Sequence, residues 1–360
     1  MTSELTLVVP TYNEAGNVEA FTAKAAKALE GIDWELVFVD DDSPDGTAKR
    51  IRQIAEANPR VRCLLRVGRR GLSSACIEGI MSTGSPFVAV MDADLQHDEG
   101  LLPAMLDILR QNEVDIVIAS RYMEGGGVGD WDAGRALISK LATGLANMVV
   151  RTRLSDPMSG FFMVRRDAFE GSVRHMSGTG FKIQLDLIAS SPEPLRIREL
   201  PFNFRTRHAG ISKLDSHVAL DFFQLLLEKT MGRVLPIRFL MFVSVGGLGV
   251  VVHLMALGVA LNVLGAPFGL SQATAVLIAM TFNFTLNNSF TYRDRRLHGM
   301  KFITGLLSFY LACGIGGIIN YSLAVFAFDQ GFSWWLAGIM GAAVGAVWNF
   351  ATTSILTWRK

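Results

Sequence analysis

Charge is missing from long stretches of this chain: residues 239–292, 302–328 and 330–358 contain no Asp, Glu, Lys or Arg. Runs of that length do not belong to the surface of a soluble protein; a helix crosses a bilayer in roughly 20 apolar residues. Cysteine is almost absent. Its 3 copies in 360 residues, Cys63, Cys76 and Cys313, have neither metal-ligand nor disulfide spacing. That excludes a disulfide-stapled scaffold and leaves three small hydrophobes suited to a reducing compartment. Excess charge of one sign is lacking too: 34 Lys and Arg against 33 Asp and Glu give a net +1. A nucleic-acid binder needs a clearly basic face, so no nucleic acid is expected as a partner. No signal peptide precedes the first strand-like run at residues 5–9, which makes the cytoplasm the expected place for the N-terminal part.

What remains is a charged N-terminal two-thirds followed by an apolar third. In the first part, β-rich runs at 5–9, 35–40, 61–66, 87–91 and 115–120 alternate with helical stretches at 17–30, 45–58, 73–82 and 101–111. That order predicts an α/β domain with a mostly parallel sheet and helices on both faces. The strands are apolar along their length, as burial on both sides requires. In such sheets the ligand site lies beyond the carboxyl ends of the strands, so polar residues just after strand ends carry the most information.

The apolar third accommodates four spans, at about 237–262, 270–290, 302–326 and 334–357. Arg233 and Arg238 precede the first, and Arg293, Arg295, Arg296 and Lys301 fill the connector after the second. The first connector is uncharged, the third holds only Asp329, and the chain ends in Arg359-Lys360. This alternation predicts an integral membrane protein with four helices and with both the N-terminal domain and the C-terminus cytoplasmic. The expected domains are therefore 1–214, a linker at 215–235 and a membrane domain at 236–360. Within the linker, residues 218–227 bunch their apolar side chains, which suits a helix in the membrane interface or one packed on the sheet. Gly246, Gly247, Gly249, Gly314, Gly316 and Gly317 permit close helix contact. His253, Asn283, Asn287 and Asn320 are expected to hydrogen-bond between helices.

Three strand-end runs carry chemistry. Asp92-Ala93-Asp94-Leu95-Gln96-His97 follows the fourth strand, and two carboxylates there turn toward one hard cation, Mg²⁺ or Mn²⁺, which bridges substrate phosphates. Such a metal neutralises charge on a departing diphosphate. In the acidic run Asp40-Asp41-Asp42-Ser43-Pro44-Asp45-Gly46-Thr47, Asp41 is expected on a nucleotide and Ser43 or Asp45 as a helix cap. Pro10-Thr11-Tyr12-Asn13-Glu14 offers an aromatic face and a carboxylate for a base or ribose. The run Gly125-Gly126-Gly127-Val128-Gly129 lacks dinucleotide-loop spacing and reads as a mobile loop over the site.

Together these runs resemble glycosyltransferase family 2, and within it the dolichyl-phosphate mannose synthases and related polyprenyl-phosphate glycosyltransferases. Ser120-Arg121-Tyr122, Gly129-Asp130-Trp131 with Arg135 and Ser139, Asp156-Pro157-Met158-Ser159-Gly160, and Arg207-His208-Ala209-Gly210-Ile211-Ser212-Lys213 match in order. The apolar third resembles the GtrA-like four-helix domain, notably in Asn283-Phe284-Thr285-Leu286-Asn287-Asn288 and the aromatic, basic connector that follows.

The resemblance implies a GT-A (Rossmann-like) domain that binds a nucleotide-sugar, followed by an all-α transmembrane domain. By it, Pro10, Tyr12, Glu14 and Asp41 hold the nucleoside, Val39, Asp92 and Ala93 also bind the nucleotide, and Asp92, Asp94 and Gln96 serve the metal and diphosphate. Arg121, Arg135 and Ser139 hold the lipid phosphate, and Arg207 and Lys213 close over the phosphates. Asp94, Arg121, Arg135 and Ser139 form the catalytic set. The donor it favours is GDP-mannose, with UDP-glucose or another UDP-sugar as the alternative; the acceptor is polyprenyl or dolichyl phosphate, and membrane lipids surround the spans. Being already anionic, the acceptor needs no dedicated base, and transfer inverts the sugar. Ile211 and Ser73 depart from the acidic residue and the glycine common at those places. A translocation or scaffold role is the alternative to an enzyme, and the oligomeric state, homo-oligomer included, is left open.

Overall fold

The computed structural model describes residues 3–127, 142–150, 152–178, 180–205, 216–231, 237–266, 268–332 and 347–355, with Ser139, Val344, Thr357 and Trp358. The chain divides into two compact units, Met1–Thr230 and Met231–Lys360.

The first unit is built on a seven-stranded sheet of order β3-β2-β1-β4-β6-β5-β7. Strands β1 (Leu5–Thr11), β2 (Trp34–Asp40), β3 (Val61–Leu65) and β4 (Phe87–Val90) run parallel, joined by α1 (Val18–Ala28), α2 (Thr47–Ala57) and α3 (Leu72–Met81). A short turn, Glu99–Leu101, leads into α4 (Leu102–Arg110) and β5 (Ile116–Ser120). β6 (Phe162–Arg165) lies antiparallel between β4 and β5, and β7 (Ile197–Pro201) pairs parallel with β5. α5 (Arg166–Val173) and α6 (Ile183–Ser190) connect those two strands.

The five expected strands and four expected helices are present, their ends shifted by one or two residues. β6 and β7 were not expected. β6 is three apolar residues and Arg165, too short for periodicity to separate strand from helix, and β7 carries the adjacent charges Arg198 and Glu199 and ends on Pro201.

Period-two alternation sorts the strand side chains onto two faces. Leu5, Leu7 and Val9 of β1 join α1, α2 and α4 in one buried cluster, while Val8 joins α3, α5 and α6 in the other. α1 fits its face because Val18, Phe21 and Ala25 recur at helical spacing. α3 approaches the sheet closely at Gly79, where a Cβ would lie 2.5 Å from Val8 Cγ1 and 2.8 Å from Val39 Cγ2. α7 (Ser216–Met231) packs on this unit, burying Leu225 and placing Lys229 Nζ 2.6 Å from Asp186 Oδ1.

The second unit contains α8 (Ile237–Asn262), α9 (Phe268–Leu286) and α10 (Met300–Asp329), and 347–355 is helical too. Among the described residues one helix, Arg238–Ala260, has both the length and the apolarity to cross a membrane, with a mean hydropathy of 2.2. Most of the fourth expected span lies outside the described residues. Gly249 lets α8 meet α9, since a Cβ there would lie 2.1 Å from Asn283 Oδ1. Asn288 closes the following connector: its amide donates to Leu297 O at 3.1 Å, and its Oδ1 accepts from Leu297 N at 2.8 Å and Trp358 Nε1 at 3.1 Å. The Tyr292 and Trp358 rings stack beside it at 4.1 Å.

Candidate active site

The carboxyl ends of β1 and β2 are tied together before either can present a ligand group. Asp40, fully buried, accepts Thr11 Oγ1 at 3.0 Å, Ser43 N at 3.0 Å and Ser43 Oγ at 2.7 Å. The chain then turns through left-handed Asn13 (φ 59°) and Asp42 (φ 56°), a conformation that Asn and Asp adopt more readily than most residues. Asp41 points the other way, accepting Gly71 N at 2.7 Å and Arg66 Nη1 at 2.8 Å. Burial pushes its carboxyl pKa up, against the opposing pull of the Gly71 amide and Arg66. Arg70 lies 4.4 Å from the Tyr12 ring centre, and Glu14 accepts from Asn17 Nδ2 at 2.7 Å. Neither capping candidate is the N-cap of α2, which is Gly46; Asp45, one residue before it, braces the helix start by accepting Thr47 N at 3.0 Å, while Ser43 serves Asp40 and Asn13.

At the end of β4, Met91 N still bonds Val8 O at 3.2 Å, so Asp92 is the first residue to leave the sheet. Its backbone N–H donates to His97 Nδ1 at 3.1 Å. Because Nδ1 accepts, the ring proton is assigned to Nε2, which lies 3.8 Å from Asp92 Oδ2. Burial holds the His97 pKa below the ordinary value, against the raising influence of Asp92 and Asp94. The ring stacks on Phe161 at 5.3 Å and meets Phe202 and Phe204 at 5.8 and 6.0 Å. Gly160 passes close by, where a Cβ would approach Asp92 Oδ2 to 3.2 Å.

Asp94 is 6% exposed and accepts Gln96 N at 3.2 Å. Leu95 between them adopts φ 64° and still buries its side chain in the core. Gln96 and Arg205 bond each other twice, Gln96 Nε2 to Arg205 O and Arg205 N to Gln96 O, both at 3.0 Å. Among the described residues no three His, Cys, Asp or Glu converge as a metal cage. Asp92 and Asp94 fit a hard cation that takes one or two carboxylates and completes its shell with substrate phosphates.

Beyond β5, Arg121 is clamped by Asp156, with Nε 2.7 Å from Oδ2 and Nη2 2.9 Å from Oδ1. Glu199 on β7 fixes the turn that carries Asp156, accepting Asp156 N at 3.1 Å and Ser155 Oγ at 2.8 Å. The Arg121 guanidinium also lies 5.5 Å from the rings of Tyr122 and Phe204, and Tyr122 Oη is 2.6 Å from Ser139 Oγ. Phe204 touches both Arg121 and His97, so the β4 and β5 ends face one shared site.

Comparison with known proteins gives the family of the chain. The profile of glycosyl transferase family 2 matches residues 6–172, and that of the GtrA/DPMS transmembrane domain matches 241–358. A dolichol-phosphate mannosyltransferase of Pyrococcus furiosus is 32% identical over 359 residues, covering 99% of each chain. The chain belongs to glycosyl transferase family 2. A second relative, the dolichol-phosphate mannosyltransferase of Saccharomyces cerevisiae, is 35% identical over 237 residues, 63% of this chain and 87% of that one. Among solved structures, glucosyl-3-phosphoglycerate synthase of Mycobacterium tuberculosis, in complex with Mn²⁺, UDP and glucosyl-3-phosphoglycerate, resembles it at 19% identity and a TM-score of 0.47, over 63% of this chain and 80% of that one. Mannosyl-3-phosphoglycerate synthase of Rubrobacter xylanophilus does so at 20% identity and a TM-score of 0.46, over 64% and 76%.

The protein is thus a membrane glycosyltransferase with a GT-A domain. The transferase brings Tyr12, Glu14, Asp41, Asp92, Asp94, Gln96, Arg121 and Ser139 to the carboxyl side of its sheet. Pro10 lies within β1, and Val39 and Ala93 point their side chains into the core, so those two offer ligands only backbone atoms. Arg135, Arg207 and Lys213 lie outside the described residues, as do Val128 and Gly129. The described part of the glycine run is tied down, Gly127 N donating to Phe202 O at 3.1 Å. Sequence reasoning assigned no role to Arg66, Lys182 or Glu199, nor a specific one to Asp156 and His97. A polar residue directly after β3 marked Arg66; the others are marked only by contacts far along the chain.

Proposed function

We propose that the transferase moves mannose from GDP-mannose to dolichyl or another polyprenyl phosphate, with inversion, at the cytoplasmic face of the membrane. The relative that supports this most matches through both units and is named a dolichol-phosphate mannosyltransferase. Tyr12, Glu14 and Asp41 form the nucleoside end, and Asp92 and Asp94 the diphosphate end. Asp92 and Asp94, with Gln96 beside them, would hold Mg²⁺ or Mn²⁺, which would supply positive charge for the leaving diphosphate. Arg121, held rigid by Asp156, and Ser139, bonded to Tyr122, present cation and hydroxyl to the acceptor phosphate, whose oxygen attacks the anomeric carbon in line. Arg135, Arg207 and Lys213 complete the phosphate contacts in this reading. Four membrane spans with cytoplasmic ends anchor the transferase in the bilayer that carries its lipid acceptor.

The test is transfer from a panel of labelled nucleotide-sugars to extracted polyprenyl phosphate, with Mn²⁺ or Mg²⁺ and with EDTA. Label should pass into lipid from GDP-mannose and stop with EDTA. Asp94→Ala should lose roughly 10²–10³-fold in turnover while remaining folded; near-normal turnover removes the metal assignment. Label from UDP-glucose instead changes the donor. No label from any donor, with folded protein, favours a translocation or scaffold role.

A further inference from the structure

Lys182 stands at the N-terminal cap of α6, and the mechanism above does not use it. Its helix is fixed from two sides. At the front, Gln184 Nε2 donates to the backbone oxygen of Asp156 at 3.0 Å, holding the first turn of α6 against the residue that clamps Arg121. Behind, fully buried Asp186 accepts Ser177 N at 2.9 Å, Gly178 N at 3.1 Å and Lys229 Nζ at 2.6 Å. Asp186 N itself donates to Lys182 O at 3.0 Å, so the backbone at Lys182 is set as well. The backbone at Lys182 is thereby held close to the Arg121–Asp156 pair, and the ammonium feels the charges of Arg121, Asp156 and Asp92.

Charge then decides what this lysine is for. Asp92, Asp94 and Asp156 line a site that must admit phosphate oxygens. Arg121 has two guanidinium nitrogens closed on Asp156. Among the described residues Lys182 makes no ion pair. Burial, reinforced by Arg121, holds its pKa below that of free lysine. A compact ammonium serves a phosphate as a point charge, without the fork geometry that Arg121 has committed elsewhere.

We propose that Lys182 is a phosphate-binding residue of the transfer site, its ammonium taking an oxygen of the donor diphosphate or of the acceptor phosphate monoester. This rests on the transferase reading above.

The test uses full-length protein in detergent. Lys182→Met should lower kcat/KM roughly 10- to 100-fold, the value of a hydrogen bond to a charged group, and Lys182→Arg should recover part of the loss. Weaker GDP binding in the presence of Mn²⁺ assigns the lysine to the donor; a raised KM for polyprenyl phosphate assigns it to the acceptor; either supports the proposal. Transfer and GDP binding both within two-fold of wild type overturn it, with wild-type transfer leaving the function intact. Should Lys182→Met not fold, reductive methylation of the wild-type protein decides. Protection of Lys182 by GDP·Mn²⁺ or by polyprenyl phosphate is the expected result, and an unchanged rate with both overturns the proposal. If wild type transfers no sugar, the transferase reading fails, and GDP protection still tests the lysine.

Discussion

His97 shows how a carboxylate proposed to hold a metal is positioned by a residue that need not touch the metal. Its Nδ1 holds the Asp92 amide while its ring is wedged among three phenylalanines. His97→Phe should therefore keep the packing and lose the acceptor. We expect a stable protein with transfer activity or apparent Mn²⁺ affinity lowered about 10–100-fold, read from rate against Mn²⁺ concentration. A second residue-scale prediction concerns Asp45. Although burial raises its pKa, hydrogen bonds from Thr47 and Ala15 bring it below the ordinary 3.8. The contribution of these hydrogen bonds is then complete above about pH 4 and fades as pH falls through the lowered value. Asp45→Ala should cost about 1 kcal/mol at pH 7 by denaturant titration, with the deficit shrinking toward pH 3. Asp92 and Asp94 were legible in the sequence because two acids directly follow an apolar strand. Asp156 gained its meaning only from Arg121, 35 residues earlier, and Arg66 from Asp41, 25 residues earlier. No local pattern encodes such pairs.

Among the elements, the parallel half of the sheet was readable because each strand is followed by a helix of the right length and period. β6 was not: it pairs antiparallel with β4 and β5, and only that pairing tells its four residues from a turn of buried helix. The close seat of α3 on the sheet gives a prediction at this scale. In Gly79→Ala the new methyl meets two valine methyls on the neighbouring strands. The cost should be about 1–3 kcal/mol, seen as a lower thermal midpoint with KM for the donor little changed. An unaltered midpoint means that α3 shifts outward without penalty.

For the molecule as a whole, absence of charge announced a membrane unit before any helix was assigned, and the GtrA/DPMS match at 241–358 agrees with it. The four-span topology remains a proposal with its own measurement. Single cysteines at Val263 and at His298, in a cysteine-depleted background, should react with an impermeant maleimide from opposite sides of sealed vesicles. Labelling of both from one side removes the topology. Within the soluble unit, most side chains of the site answer either to packing or to chemistry, but Leu95 answers to both. Its backbone angle suits glycine or asparagine, its side chain belongs to the apolar core, and Asp94 and Gln96 flank it. A glycine there relaxes the turn and opens a cavity; a valine or isoleucine fills the core and strains the turn. Single changes at this position are thus unfavourable in either direction. Over long divergence it should change only in company with the core residues around it, and such paired drift would mark the turn even where the neighbouring acids were never examined.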